Sequence, residues 1–149
     1  MLMPIIICTG SRFLPETERA AVWRRLDELD ANADLLIRVG DCRTGLDAFV
    51  QAWARRRWMI VWRMRCLVYE ADWDRFGKAA GPKRNAVMVA DGADEMHAWF
   101  APPPALNRGT TGCCKLARRA GIPVVEYGRE GQQTEEYEQD ALPLEGELR

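Results

Sequence analysis

Residues 70–85 read EADWDRFGKAAGPKRN and gather Asp72, Trp73, Asp74, Arg75, Lys78, Lys83, Arg84 and Asn85 around Gly77, Gly81 and Pro82. Carboxylates, cations, an amide, an indole and glycines in one short stretch suit a polar ligand. They supply acceptors, donors, a stacking face and close backbone approach. The stretch has no clean helical or strand period, so it reads as a structured loop leading into a helix at 84–89. An ordinary surface connection is the competing reading.

Three further polar, glycine-bearing clusters accompany it. Arg108, Gly109, Thr110, Thr111 and Gly112 precede a helical pattern and resemble a small phosphate cradle, with amides at a helix start and threonine hydroxyls as extra donors. A simple helix cap has the same residues. Thr9, Gly10, Ser11 and Arg12 form a second such turn, with Arg12 available to a phosphate or carboxylate or else a plain surface arginine. Gly40, Asp41, Cys42, Arg43, Thr44 and Gly45 form the third. The fingerprints GxGxxG and GxxxxGK[ST] are absent, so neither a dinucleotide dehydrogenase nor a P-loop NTPase is supported. His97 is the sole histidine and lies in a strand pattern, which favours a packing role over a catalytic base and counts against Ser-His-Asp or Cys-His chemistry. The vicinal Cys113 and Cys114 stand where a helix start would favour a thiolate, yet small apolar packing is the preferred reading.

The elements that must position these clusters alternate. Strands are expected at 3–8, 35–39, 65–69, 95–100 and 122–127, and helices within 15–29, from 46 to about 60, at 84–89 and at 113–120. Residues 58–65 fit either a prolonged helix or an early third strand. The order β-α-β-α-β-α-β-α-β predicts one Rossmann-like, three-layer α/β sandwich with a mainly parallel five-stranded sheet. Each polar cluster follows a strand, which places all four at the carboxyl edge of the sheet, where doubly wound folds bind ligands.

Composition sets the bounds. With 149 residues and 48% hydrophobic content, the chain can bury a full core in one domain over 1–127. Residues 1–125 carry 19 of the 21 Lys and Arg and 14 of the 22 Asp and Glu, whereas 126–149 carry 2 and 8. The folded part is therefore mildly basic. Residues 128–149 are expected to be an acidic, flexible tail, loosely docked at most through Tyr137, Leu142 and Leu144. The five cysteines show neither CxxC nor Cys/His spacing, so reduced thiols in a cytoplasmic protein are expected, with no metal site. The apolar residues 1–8 are too short to span a membrane and lack the basic start of a signal peptide. Trp53, Trp58, Trp62 and Met59 offer more apolar surface than a small domain easily covers, so a homodimer or higher oligomer is considered alongside internal burial.

The same residues carry a resemblance. Thr9 to Arg12, Gly40-Asp41 through Gly45-Leu46-Asp47, Ala71-Asp72-Trp73, the string GKAAGP with Arg84, Asn85 and Met88, and Gly109-Thr110 resemble the YspA/CpYpsA-related SLOG family over nearly the whole chain to about Tyr127. The resemblance implies a Rossmann-like domain that binds nucleotide-derived ligands; no cofactor is expected. It also implies kinship with lysine-decarboxylase-like phosphoribohydrolases, with the DNA-processing protein DprA and with sensors of cyclic or ADP-ribose-type signals. Such members are frequent in actinobacteria and their phages. In the phosphoribohydrolase pattern Arg84, Met88, Gly109 and Thr110 match, Asn85 replaces a lysine, and Cys113 replaces the glutamate that stabilises charge developing on ribose.

The expected ligand site follows. Gly109, Thr110 and Thr111 hold phosphate, Arg12 and Arg84 neutralise charge, Asp72 and Asn85 orient base or ribose, and Trp73 stacks. Gly10, Ser11, Gly40 and Asp47 shape the loops, while Asp41 and Lys78 add polar contacts. No catalytic residue is assigned. Sensing or sequestering a nucleotide-derived small molecule is preferred. Nucleoside-monophosphate N-glycosidase chemistry, with a carboxylate from Asp41, Asp47 or Asp72, is the first alternative. DprA-like binding of single-stranded nucleic acid is the second, disfavoured by the lack of a long basic stripe with interleaved aromatics.

Overall fold

The computed structural model describes residues 3–31 and 34–128. The strands β1 (Ile5–Gly10), β2 (Leu36–Gly40), β3 (Cys66–Tyr69), β4 (Glu95–Trp99) and β5 (Val124–Tyr127) are all parallel, in the order β3-β2-β1-β4-β5. Helices α1 (Arg19–Ala31) and α2 (Gly45–Trp58) cover one face, and α5 (Ala80–Ala90) and α6 (Arg108–Arg119) the other. This is the Rossmann-like three-layer α/β sandwich that the alternation predicts. The acidic segment expected at 128–149 lies outside the described residues, apart from Gly128.

The central strand β1 reads IIICTG, apolar on both sides because it feeds two cores. Ile6 and Cys8 pack with Val22, Leu26, Val50 and Trp53 on one face, and Ile7 packs with Met88, Met96 and Ala117 on the other. Tryptophans tie α1 to α2: Trp23 Nε1 donates to the Phe49 carbonyl (2.9 Å), and Trp53 Nε1 donates to Asp27 Oδ1 (2.9 Å). Trp53 and Trp58, two of the residues for which self-association is weighed against internal burial, are core residues. Met59 is exposed, with Ile60, Val61 and Met64 beside it.

Two local expectations change, and the stretch left open at 58–65 is settled. Residues 58–65 are helical, as a 3-10 turn (Met59–Val61) followed by α3 (Trp62–Arg65), and β3 starts only at Cys66. Residues 70–85 are not one irregular loop. They form α4 (Trp73–Phe76), a 3-10 turn (Gly77–Ala79) and the first turns of α5. Pro82 hid this start: it occupies the third position of α5, where its missing N–H would have had no helical partner. Likewise Arg108, Gly109, Thr110, Thr111 and Gly112 are the first turns of α6 and not a turn before it. Asn107, in the left-handed region (φ 53°), makes the turn instead. Its side chain clamps the preceding loop through the amide and carbonyl of Ala101 and the carbonyl of Ala105.

One junction fixes α2 against the sheet. The Ser11 carbonyl accepts from the amides of both Leu14 and Leu46 (3.2 Å each), and Thr44 Oγ1 donates to the Arg12 carbonyl (3.0 Å). Gly45 has φ 68°, and a Cβ there would lie 2.2 Å from the Ser11 oxygen. Gly45→Ala is therefore expected to lower the unfolding free energy by about 2–4 kcal/mol through left-handed strain and overpacking. Chemical denaturation checks this, and an unchanged midpoint would show that the junction tolerates displacement.

Candidate ligand-binding site

The carboxyl ends of β1, β2, β3 and β4 bring Gly10, Gly40, Tyr69 and Trp99 to one edge. Ser11 N donates to the Trp99 carbonyl (3.1 Å), which holds the mouth between β1 and β4 at a fixed width. That mouth is the point where the strand order reverses direction, the place where open α/β sheets take ligands. Gly10 lies tight against α2, since a Cβ would come within 2.6 Å of Leu46.

A charge cluster crosses the edge at β2. Arg84 reaches from α5 over the end of the strand and Asp47 from the first turn of α2. They meet above Gly40, where an added Cβ would stand 2.6 Å from Arg84 Nη1 and 2.5 Å from Asp47 Oδ2. Arg84 Nη1 donates to Asp41 Oδ1 (2.8 Å) and to the Tyr69 carbonyl (3.2 Å), and Nε donates to Asn85 Oδ1 (2.8 Å). Asp41 Oδ2 also accepts from the Ala71 amide (3.2 Å), and Asp47 accepts from the Cys42 amide (3.1 Å). The Gly40 carbonyl accepts from Gln51 Nε2 (3.1 Å). Among the described residues, Arg84 Nη2 and Asn85 Nδ2 have no acceptor. Each N–H is a donor waiting for a partner.

The first turn of α6 adds further donors. Its N-cap residue, Asn107, makes no side-chain cap bond, and a helix leaves its first amides, here including those of Gly109 and Thr110, without an intrahelical acceptor. Nothing stands within 4 Å of a Cβ at Gly109, so the approach is open, while Thr110 is buried and Thr111 half-buried. One turn further, Cys113 is a core residue whose thiol burial pushes up to about 12, against a hydrogen bond from Thr9 and the pull of Arg84. It is a neutral thiol, as the packing reading of Cys113 and Cys114 expects.

Other expected residues have different partners. Asp72 is the N-cap of α4, where Oδ1 accepts from the Arg75 amide (3.0 Å). Trp73 is half exposed and flanks Gly81, and Lys78 is exposed. Arg12 lines a cleft between the β1 loop and α2. His97 is wholly buried: Nδ1 meets the Tyr127 hydroxyl (2.8 Å), which accepts from Arg25 Nε (2.9 Å), and Nε2 meets Glu95 (3.0 Å). Burial, its largest influence, lowers its pKa and keeps the imidazole neutral. Sequence reasoning missed the Tyr69 carbonyl and Gln51. The first is a backbone group that no residue type advertises. The second sits one helical turn beyond Asp47, a spacing that had been available.

Asp47 is the perturbed acid of the cluster. Burial pushes its pKa up to about 6, against the attraction of Arg84 and the Cys42 amide. The folded protein therefore holds a proton that the unfolded chain releases near its ordinary value of 3.8. Stability present below about pH 4 is lost as pH rises to about 6, and is flat above. Asp47→Asn should remove this loss, so that the variant gains on the parent by up to about 3 kcal/mol between pH 4 and 7. Denaturant titrations at both pH values check it; a difference that stays constant with pH would show that Asp47 is ionised throughout.

Comparison with known proteins agrees with the resemblance. A family model described as YspA, cpYpsA-related SLOG family matches residues 3–76. The Gene 61 protein of Mycobacterium phage D29 is 35% identical over 124 residues, which is 83% of this chain and 95% of that protein. No solved structure matches the chain. Among the described residues, no helix is long and apolar enough to cross a membrane.

Proposed function

The chain belongs to the YspA, cpYpsA-related SLOG family, and on that premise we propose that it binds a phosphate-bearing, nucleotide-derived ligand as a sensor or sequestering protein. The observation that carries this reading is Arg84. It is fixed by three acceptors, Asp41, Asn85 and the Tyr69 carbonyl, yet keeps Nη2 without an acceptor among the described residues, and its helix packs against α6, whose N-cap residue Asn107 makes no side-chain cap bond. A phosphate satisfies both at once, by charge-assisted hydrogen bonds to the guanidinium and by amide contacts at the helix N-terminus. Because the arginine is already immobilised, little side-chain entropy remains to be lost on binding. Asn85 Nδ2 would meet ribose or base, and Asp41, the more exposed carboxylate of the pair, a ribose hydroxyl.

Binding is preferred over hydrolysis for a geometric reason. The position that carries a glutamate in the phosphoribohydrolase pattern is Cys113, which is buried and neutral. A neutral thiol offers no charge to an oxocarbenium-like ribose.

The full chain incubated with nucleoside monophosphates, NAD, ADP-ribose and cyclic nucleotides, then stripped and analysed by mass, should release one of them intact. Free base plus ribose phosphate would instead establish a hydrolase. For the retained ligand, Arg84→Ala should weaken binding on the order of 30- to 100-fold, the equivalent of about 2–3 kcal/mol for a charge-assisted contact. Arg84→Lys, which keeps the charge without the planar fork, should weaken it less. Unchanged affinity in both variants would remove this site.

A further inference from the structure

A second cleft, of about 480 Å³, opens between the β1 loop and the first turns of α2. Its lining includes none of Gly40, Asp41, Arg84, Asn85, Gly109 or Thr110, so it is a different place from the Arg84 cluster. Its size falls within the range of small-molecule sites.

The cleft has three features of a built site. Its lining includes the small side chains of Ala48 and Ala52 with buried Phe49. Its rim carries Phe13, which is 68% exposed although it is a large aromatic next to a core residue, Leu14. The rim also carries Arg12 and Arg43, both exposed and without a carboxylate partner among the described residues. Charge elsewhere in the cleft is cancelled, because Glu16 is paired with Arg19 (2.8 Å). The two free cations therefore set its potential.

The rim is also held in place. Thr44 Oγ1 fixes the Arg12 carbonyl, and Gly45 packs directly on the backbone of Ser11 and Arg12. The loops that carry the two arginines are thus one unit, and both arginines line the cleft from anchored backbone. Arg12 already lies 5.9 Å from the centre of the Phe13 ring, so cation and aromatic face are adjacent.

We propose that this cleft is a second ligand site and takes a nucleoside monophosphate, with the phosphate between Arg12 and Arg43 and the base against Phe13 and the two alanines. Two guanidinium groups suit a dianionic phosphate, and an exposed phenyl ring beside small side chains suits a flat aromatic ring. The proposal does not rest on the role given to Arg84.

The test is an amide NMR titration of the full chain with AMP, with inorganic phosphate and adenosine as separate probes. Amides of Phe13, Thr44 and Ala48 report the cleft, and those of Gly109 and Thr110 report the other site. AMP should shift the cleft amides saturably. Arg12→Ala with Arg43→Ala should weaken that shift at least tenfold and leave the response of Gly109 and Thr110 unchanged. Phe13→Ala should weaken AMP but not inorganic phosphate. Cleft amides that do not move, or that titrate identically in the double arginine variant, would overturn the proposal. A Phe13→Ala response equal to the parent's for AMP would overturn the base contact. All three side chains are exposed, so the variants keep the fold, and amide spectra of the core confirm it.

Discussion

Everything at the carboxyl edge depends on Gly40 having no side chain. Arg84 comes from a helix on one face of the sheet and Asp47 from a helix on the other, and they meet over the end of β2 in the space a Cβ would fill. That meeting joins the two layers by charge where the hydrophobic cores cannot, since each core lies on its own side of the strands. The cost is a buried carboxyl. Asp47 loses hydration, and one arginine shared with Asp41 only partly offsets this, which is why its pKa rises while Arg84 stays engaged. A site that is short of positive charge for its two carboxylates, yet keeps an unused guanidinium nitrogen, is set by geometry and not by charge balance.

The fold was legible because its signals are independent of distance. The β-branched run of β1, the helical spacing of Val22 and Leu26, and the Gly121-Ile122-Pro123 step before β5 are local, and alternation then leaves few topologies. The position of the polar clusters after strands was legible for the same reason. What misled was residue type inside helices. Gly81, Pro82, Gly109 and Gly112 read as breakers, yet each lies in the first turns of a helix, where missing donors and small side chains cost little. Gly81 and Gly112 are buried, so tertiary packing overrides propensity there.

The candidate cluster was legible in composition but not in pairing. Arg84 and Asn85 stood out by type, and so did Asp41 and Asp47. That Arg84 spans to Asp41, 43 positions away, while its neighbour Asn85 steadies Nε, is a product of the β2–β3 register and of α5 starting at Ala80. Asp72 shows the converse. It sits in the densest polar stretch of the chain, and its side chain serves a helix cap. Residue types that recognise ligands are the same ones that terminate helices, and only three-dimensional placement separates the two uses.

Cys113 makes the strongest link between sequence and chemistry. Its place in the second turn of α6 points toward the core, where it packs with Ile7, Met88 and Ala98 and bonds to Thr9 of the central strand. A glutamate there would have to bury a carboxylate among apolar side chains or push α6 away from β1, and either would be costly. The thiol is thus part of a surrounding that suits a small neutral side chain. The same turn still presents its opening amides, and Arg84 still lies close enough to act on the thiol electrostatically. Phosphate recognition and charge stabilisation at ribose are separable functions of one helix start: Cys113 meets the second with a buried neutral thiol, while the first amides of α6 remain without an intrahelical acceptor.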